Sequence, residues 1–480
     1  MKTSSLDELK SELESVGLLV GGRPTPLAAS RRPDDGMIDR WARAAAFAEP
    51  QARAVAIWAI RAAAHAAGVV PCSIQGLYEA RAREEWSNKT VPAMNLRGWS
   101  YQTCRAVFRA AQQLDAHLFI FEQAVGEALY AEQPPAEYTA AVLAAALREK
   151  HVGPVFLQAD HDQVDPKAYA RDPQGEIARL KEIMREQIAA AFFNIDIDAS
   201  TIVDLTLPTV EDQQRLNAEL TAQFTEFVRS VEPEGVTISL GAEIGEVGHE
   251  NTTPEELHAF MATYPKALAR SGGTLTGVSK ISINSGTYHG GKVLPDGTLA
   301  AVNVDYATLE TISALCRKHY GMAGAVQHGA STLPGEQLSR FPGSGAIEIH
   351  LALGFTNLTF DHPRVPPAFR DEIRNYVFAN HAKERAAGET DAQFLYNVRK
   401  KAWKVMKARY WDLPDDVQAD VMASLQAMFR DMFERMNIAG TVDLVRRHTI
   451  VRAVEPPLPH ALGGPPPDPA SRSRFAVAIY

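Results

Sequence analysis

Six residues of metal-ligating or acid–base type stand where short apolar runs end. Asp160 and His161 follow PVFLQA, Asp198 follows FFNIDI, Glu243 follows VTISLGA, His289 follows VSKISINSGTY, and His328 follows GAVQ. Three imidazoles suit Zn²⁺ with an open fourth position, the arrangement of a catalytic rather than a structural site. Additional carboxylates beside them hold a second ion or orient the ligand rings. Gly290 and Gly291 follow His289, and Gly329 follows His328. Glycines there let backbone approach a ligand closely and offer free N–H groups. A single histidine at a strand end is more often structural, and the chain has 14 histidines. The weight therefore rests on five successive strands carrying such residues at the same end.

That placement requires a particular scaffold. From Val91 onward, short apolar runs alternate with helical segments, the pattern of βαβ units and a parallel sheet. The pattern predicts strands over 91–96, 118–123, 154–161, 192–200, 236–245, 278–287, 324–330 and 346–354. Helices are expected over 100–116, 136–150, 174–190, 210–231, 254–268 and 306–320, with a short one near 334–340. Eight such units close into a (β/α)₈ TIM barrel, whose active groups lie at the C-terminal ends of the strands. A nine-stranded sheet would need a strand that the pattern does not show.

The barrel takes 89–365. Residues 1–88 read as a helical extension: Leu6 to Val16 is amphipathic, and Met37 to Ala67 is a longer alanine- and arginine-rich helical stretch. GGRPTPLAASRRPDDG between them is a loop. Residues 366–452 are again helical, and the proline-rich tail 453–480 is expected to be extended or disordered.

Net charge is −9, which argues against a general nucleic-acid surface. An anionic substrate stays open, because a metal ion reverses the local field. Three widely spaced cysteines without a CxxC pair point away from a disulfide framework and toward a reducing cytoplasm. The N-terminal MKTSSLDELKSELES lacks the apolar core of a signal peptide. Apolar runs fall far short of the ~20 residues of a membrane helix.

At the residues that carry the chemistry, the sequence resembles the class II, metal-dependent fructose-bisphosphate and tagatose-bisphosphate aldolases, over roughly 90–440. VPAMN (91–95) is similar to the family's first strand, LQADHDQV (157–164) to its Asp-His strand, and NIDIDAST (194–201) to its "IDxS" strand. LGAEIGEVGHE (240–250) resembles its acidic glycine-rich loop, SGTYHG (285–290) its "GTxHG", and QHGAST (327–332) its "HGxS". FLYNVRKKAWKVMKARY (394–410) resembles the helix that follows the barrel. The resemblance implies that His161, His289 and His328 bind a catalytic Zn²⁺ and that Asp160 is the general acid–base. Asp198 and Glu243 then meet a second divalent position or brace the first. A monovalent cation is common near the substrate phosphate. Glu250, or Glu246, is the implied base at the three-carbon half. Asn95, Gly290, Gly329, Ser331 and Glu348 are the implied substrate contacts. The implied reaction is cleavage of a ketose, phosphorylated in the family, to a three-carbon ketone such as dihydroxyacetone phosphate and an aldehyde. A homodimer or higher homo-oligomer is the implied assembly.

The eighth strand departs from the pattern. Glu348 stands where the family has an asparagine beside the phosphate, and a carboxylate there repels that group. Glu348 therefore either meets a hydroxyl or amine of a substrate that is not a bisphosphate, or pairs with a nearby cation. Lys280, nine residues before His289, is expected near the opposite rim, too far to form a Schiff base at the site. His249 reads as an exposed loop residue, and His350 and His362 as solvent or structural residues. A zinc hydrolase on the same barrel is the alternative enzyme; it favours an H-x-H pair on the first strand, and AMNLRG has none. A catalytically silent binding homologue is the third reading; the presence of Asp160 and all three histidines speaks against it.

Overall fold

Closure of the alternating pattern is complete. In a computed structural model that describes residues 3–28, 31–245, 250–270, 272–286, 293–295, 304–330, 333–466 and 474–475, eight parallel strands form a ring. They are β1 (Val91–Asn95), β2 (Ile120–Ala124), β3 (Gly153–Gln163), β4 (Asn194–Asp198), β5 (Ser239–Glu243), β6 (Lys280–Ile283), β7 (Ala325–Gln327) and β8 (Glu348–Leu351). Each pairs with the next, and β8 pairs back onto β1 with Leu351 opposite Met94. A closed ring leaves no edge, and all eight strands are buried almost throughout, which is why they read as apolar runs rather than alternating ones.

The surrounding helices start where local chemistry stops the chain. Thr253 caps Pro254–Ala269 in a capping box with Glu256, and Pro254 opens that helix without needing a donor. Thr209 caps Val210–Val231, and Asp305 caps Tyr306–Tyr320.

Outside the barrel the structure corrects three expectations. Met37 to Ala67 is two helices, Asp35–Phe47 and Pro50–Ala66, because Pro50 lacks the N–H that a continuous helix needs. The N-terminal extension is not purely helical. Leu19–Val20 and Arg23–Pro24 form a small antiparallel pair, and Val69–Cys72 is a ninth strand that runs parallel to the first half of β3. The side chain of Asn194 on β4 locks this ninth strand in place. Its Oδ1 accepts from Ile74 N at 2.8 Å, and its Nδ2 donates to Leu157 O at 2.8 Å. Finally, the segment after the barrel is not one helix: Asp391–Val398 and Trp403–Trp411 are separated by a 3₁₀ turn, Arg399–Ala402.

The C-terminal helix Asp415–Arg435 lies against Ser100–Gln113, with Phe433 stacked on Phe119 at 5.3 Å. The described tail is extended and packed, with Leu462 and Phe475 buried. All three cysteines are buried and free. Among the described residues no helix is long and apolar enough to cross a membrane.

Candidate functional site

The site is built on an irregularity in β3. Between Ala159 and Asp162 the register against β4 slips, so that β3 carries one extra residue, and His161 adopts a left-handed φ of 50°. In a regular strand Asp160 and His161 would point to opposite faces. The bulge turns both into one cavity at the C-terminal mouth of the barrel.

Two rings meet there. His161 Nε2 lies 2.5 Å from His328 Nδ1, with ring centroids 4.1 Å apart. Each ring is fixed from behind by its other nitrogen. His161 Nδ1 is 2.9 Å from a Glu243 oxygen and 3.4 Å from Asp198, and His328 Nε2 is 3.0 Å from Ser282 Oγ. Burial disfavours a charged His161, but Glu243 and Asp160 outweigh it and hold its pKa well above the ordinary range. The donor set suits a divalent ion. Ligand atoms of Asp160, His161, His328 and His350 lie within 4.8 Å of one another, as do those of His161, Asp198 and Glu243. A histidine that offers one nitrogen to the centre while a carboxylate or hydroxyl orients the other is the usual form of a ligand.

His350 is the correction the structure makes here. It is buried within the site, its ring 4.1 Å from that of His328. Both its nitrogens face carboxylates: Nδ1 is 3.1 Å from Asp160 and from Glu122, and Nε2 is 2.7 Å from Glu348. These carboxylates overcome burial and push its pKa well above the ordinary range. Position 350 is two residues after Glu348, so both face the barrel interior; that alternation was the available signal. Asp160 accepts from Asn95 Nδ2 at 2.9 Å. Burial alone would raise its pKa, yet His161, His350 and Asn95 hold it well below the usual carboxylate range.

Beneath this layer sits another. Glu348 is fully buried and does not line the cavity. It pairs with Lys280 Nζ at 2.5 Å and accepts from Gln158 at 2.6 Å and from Tyr78. Of the two roles left open by the sequence, the geometry is that of the cation pair. Lys280 is therefore not at the opposite rim but inside the barrel, where it also reaches Asp196 at 3.0 Å. Gly241 makes room for it, since a Cβ there would come within 2.8 Å of the lysine Cε. Burial would lower the Lys280 pKa, but Asp196 and Glu348 raise it, so the amine stays protonated and is no Schiff-base nucleophile.

The cavity measures about 280 Å³. Asn95, Asp160, His161, His328, Gly329 and His350 line one side of it, and Arg97, Glu127, Tyr130 and Lys400 another. The second group was not singled out in the sequence: Arg97 and Glu127 sit just beyond strand ends, and Lys400 hides in the basic RKK run. Glu250 is exposed, and its carbonyl accepts from Asn284. His289, Gly290, Ser331, Glu246 and His249 lie outside the described residues.

Comparison with known proteins agrees with this architecture. The native fructuronate-tagaturonate epimerase UxaE from Cohnella laeviribosi superposes with a TM-score of 0.50 at 10% identity, over 81% of this chain and 86% of its own. A fructose-bisphosphate aldolase from Campylobacter jejuni matches at 17% identity over 78% of this chain and 96% of its own, with a TM-score of 0.44. The YdjI aldolase from Escherichia coli K12 matches at 12% identity over 78% and 99%, with a TM-score of 0.45. At such identities the likeness to the epimerase shows the fold. No curated protein matches the sequence. The model of the family described as fructose-bisphosphate aldolase class-II matches residues 79–440, three quarters of the chain, and with the barrel and the Asp-His strand in place the chain belongs to the class-II fructose-bisphosphate aldolase family.

Proposed function

We propose that this protein is a metal-dependent aldolase that reversibly cleaves a ketose into a three-carbon ketone, such as dihydroxyacetone phosphate, and an aldehyde. The observation that carries the reading is Asp160. It is an ionised carboxylate held by Asn95 and His350 beside the His161–His328 pair, on the wall of a cavity of substrate size. His161 and His328, with His289, are the residues assigned to a zinc ion. Bound there, a divalent ion supplies Lewis-acid polarisation of the ketose carbonyl.

Asp160 accepts the proton of the C4 hydroxyl as that oxygen becomes the aldehyde carbonyl. The C3–C4 bond breaks, and its electron pair stays with the three-carbon half. A proton delivered to C3 completes the ketone, a step this reading assigns to Glu250. In condensation the same transfers run backward. The cation-paired Glu348 removes the clash between a carboxylate and a substrate phosphate, because it is sealed away from the cavity.

The test is a screen of zinc-loaded protein with phosphorylated and free ketoses, reading the three-carbon ketone and the aldehyde as products. A ketose that yields both supports the aldolase. Zinc-stoichiometric protein that cleaves no ketose but hydrolyses esters or amides would move the chain to the hydrolase reading.

A further inference from the structure

One wall of the cavity is lined with hydrogen-bond donors that lack acceptors. Arg97 is only 9% exposed. Its Nε donates to Glu127 at 2.6 Å and its Nη2 pairs with the same carboxylate, while Nη1 is buried with no partner among the described residues. Tyr130 presents a buried hydroxyl that is likewise unpartnered. Lys400 lines the same cavity and makes no hydrogen bond or ion pair among the described residues. Its pKa is lowered by burial and then by the nearby Arg97 cation. Two cations and one carboxylate thus leave a surplus positive charge on this wall. Buried donors and charges left in that state are costly unless something accepts from them.

The fold holds these groups in place. Gly98, next to Arg97, has a φ of +67°, and a Cβ there would enter the Trp403 ring. That contact clamps the β1 loop against the 3₁₀ turn that carries Lys400. Trp411 Nε1 donates to Gly98 O at 3.2 Å, and Arg399 pairs with Asp361 at 2.8 Å on the other side of the turn. The wall also connects to the reacting group. Glu127, which neutralises part of Arg97, accepts from Asn95, and Asn95 donates to Asp160.

We infer that Arg97, Tyr130 and Lys400 form an oxyanion subsite that takes a terminal carboxylate or phosphate on the aldehyde-forming half of the substrate. The placement on that half rests on the proposed role of Asp160; the anion site itself does not. Arg97 offers one directed N–H, Tyr130 a hydroxyl and Lys400 a mobile ammonium, a set suited to several oxygens of one anionic group.

The test is calorimetric titration of the zinc-loaded full chain with inorganic phosphate and, separately, with glycolate. Lys400→Met and Tyr130→Phe are the variants, because both leave the Arg97–Glu127 pair and the histidine cluster intact. Binding of phosphate or glycolate that weakens about tenfold or more in Lys400→Met supports the subsite. Whichever probe binds more tightly identifies the anion. Binding unchanged in both variants, or no binding of either probe, overturns it. The two readings fail separately. Loss of anion binding in Lys400→Met in a protein that cleaves no ketose keeps the subsite and removes the aldolase. A protein that cleaves ketoses with anion binding indifferent to both variants does the reverse.

Discussion

Lys280 and Glu348 form an ion pair of 2.5 Å inside the barrel, on β6 and β8, with the side chains 1% and 0% exposed. Burial would raise the Glu348 pKa, but Lys280 and His350 bring it down to about 2. Such a pair is weak evidence of stability in itself, but removing one partner strands the other charge. Lys280→Met is expected to cost about 3–5 kcal/mol in denaturant unfolding, and Lys280→Met with Glu348→Met less than that. A single variant that unfolds at the wild-type midpoint would show the pair to be unimportant.

Metal analysis separates ligands from neighbours. His161 and His328 each present one nitrogen toward the other while the second is held by Glu243 or Ser282. His350 has both nitrogens engaged by carboxylates. After dialysis, His161→Ala, His328→Ala and His289→Ala are expected to lose stoichiometric zinc, and His350→Ala to retain it. Zinc bound by His328→Ala as by wild type would sink the ligand assignment.

Asp160 differs from its neighbours in its proposed task. Asp160→Asn keeps the shape and the zinc, but is expected to lower kcat for retro-aldol cleavage by roughly 10²–10⁴-fold. If that variant releases its zinc, Asp160 is a ligand before it is a base. If its rate stays within a few-fold of wild type, another residue moves the proton.

Far from the site, His151 gives the protein an acid sensitivity. Its ring is buried against Phe108 and His117, at 4.8 and 4.6 Å, and burial followed by the His117 charge lowers its pKa from 6.5 to about 3. Between those values the unfolded chain binds the proton and the folded chain does not. The contribution is therefore complete above pH 6.5 and is lost, at roughly 1.4 kcal/mol per pH unit, as the pH falls toward 3. His151→Phe should flatten the decline in unfolding free energy between pH 6 and 4 relative to wild type, an interval on the order of the shift itself. Parallel curves would assign the decline to other groups.

The eight strands of the barrel and most of its helices were legible in the sequence because strands buried on both faces must be apolar, and because breakers and caps mark where the chain turns. The ninth strand, Val69–Cys72, was not. Four residues after a long helix carry no period, and only pairing with β3 makes them a strand.

The sequence by itself determined which chemistry was present and at which end of the barrel. Asp160, His161, Asp198, Glu243 and His328 are all delivered to one mouth by strand ends in register. Tertiary structure decided the rest. Whether Asp160 and His161 share a cavity depends on a bulge in β3, and a bulge exists only relative to the strand beside it. Whether Glu348 repels a phosphate depends on Lys280, a partner 68 positions away in the chain. The donors of Arg97 and Lys400 face one wall only because Trp403 packs on Gly98. Local spacing fixes the face a side chain takes, but contacts between distant segments fix its charge and its partner.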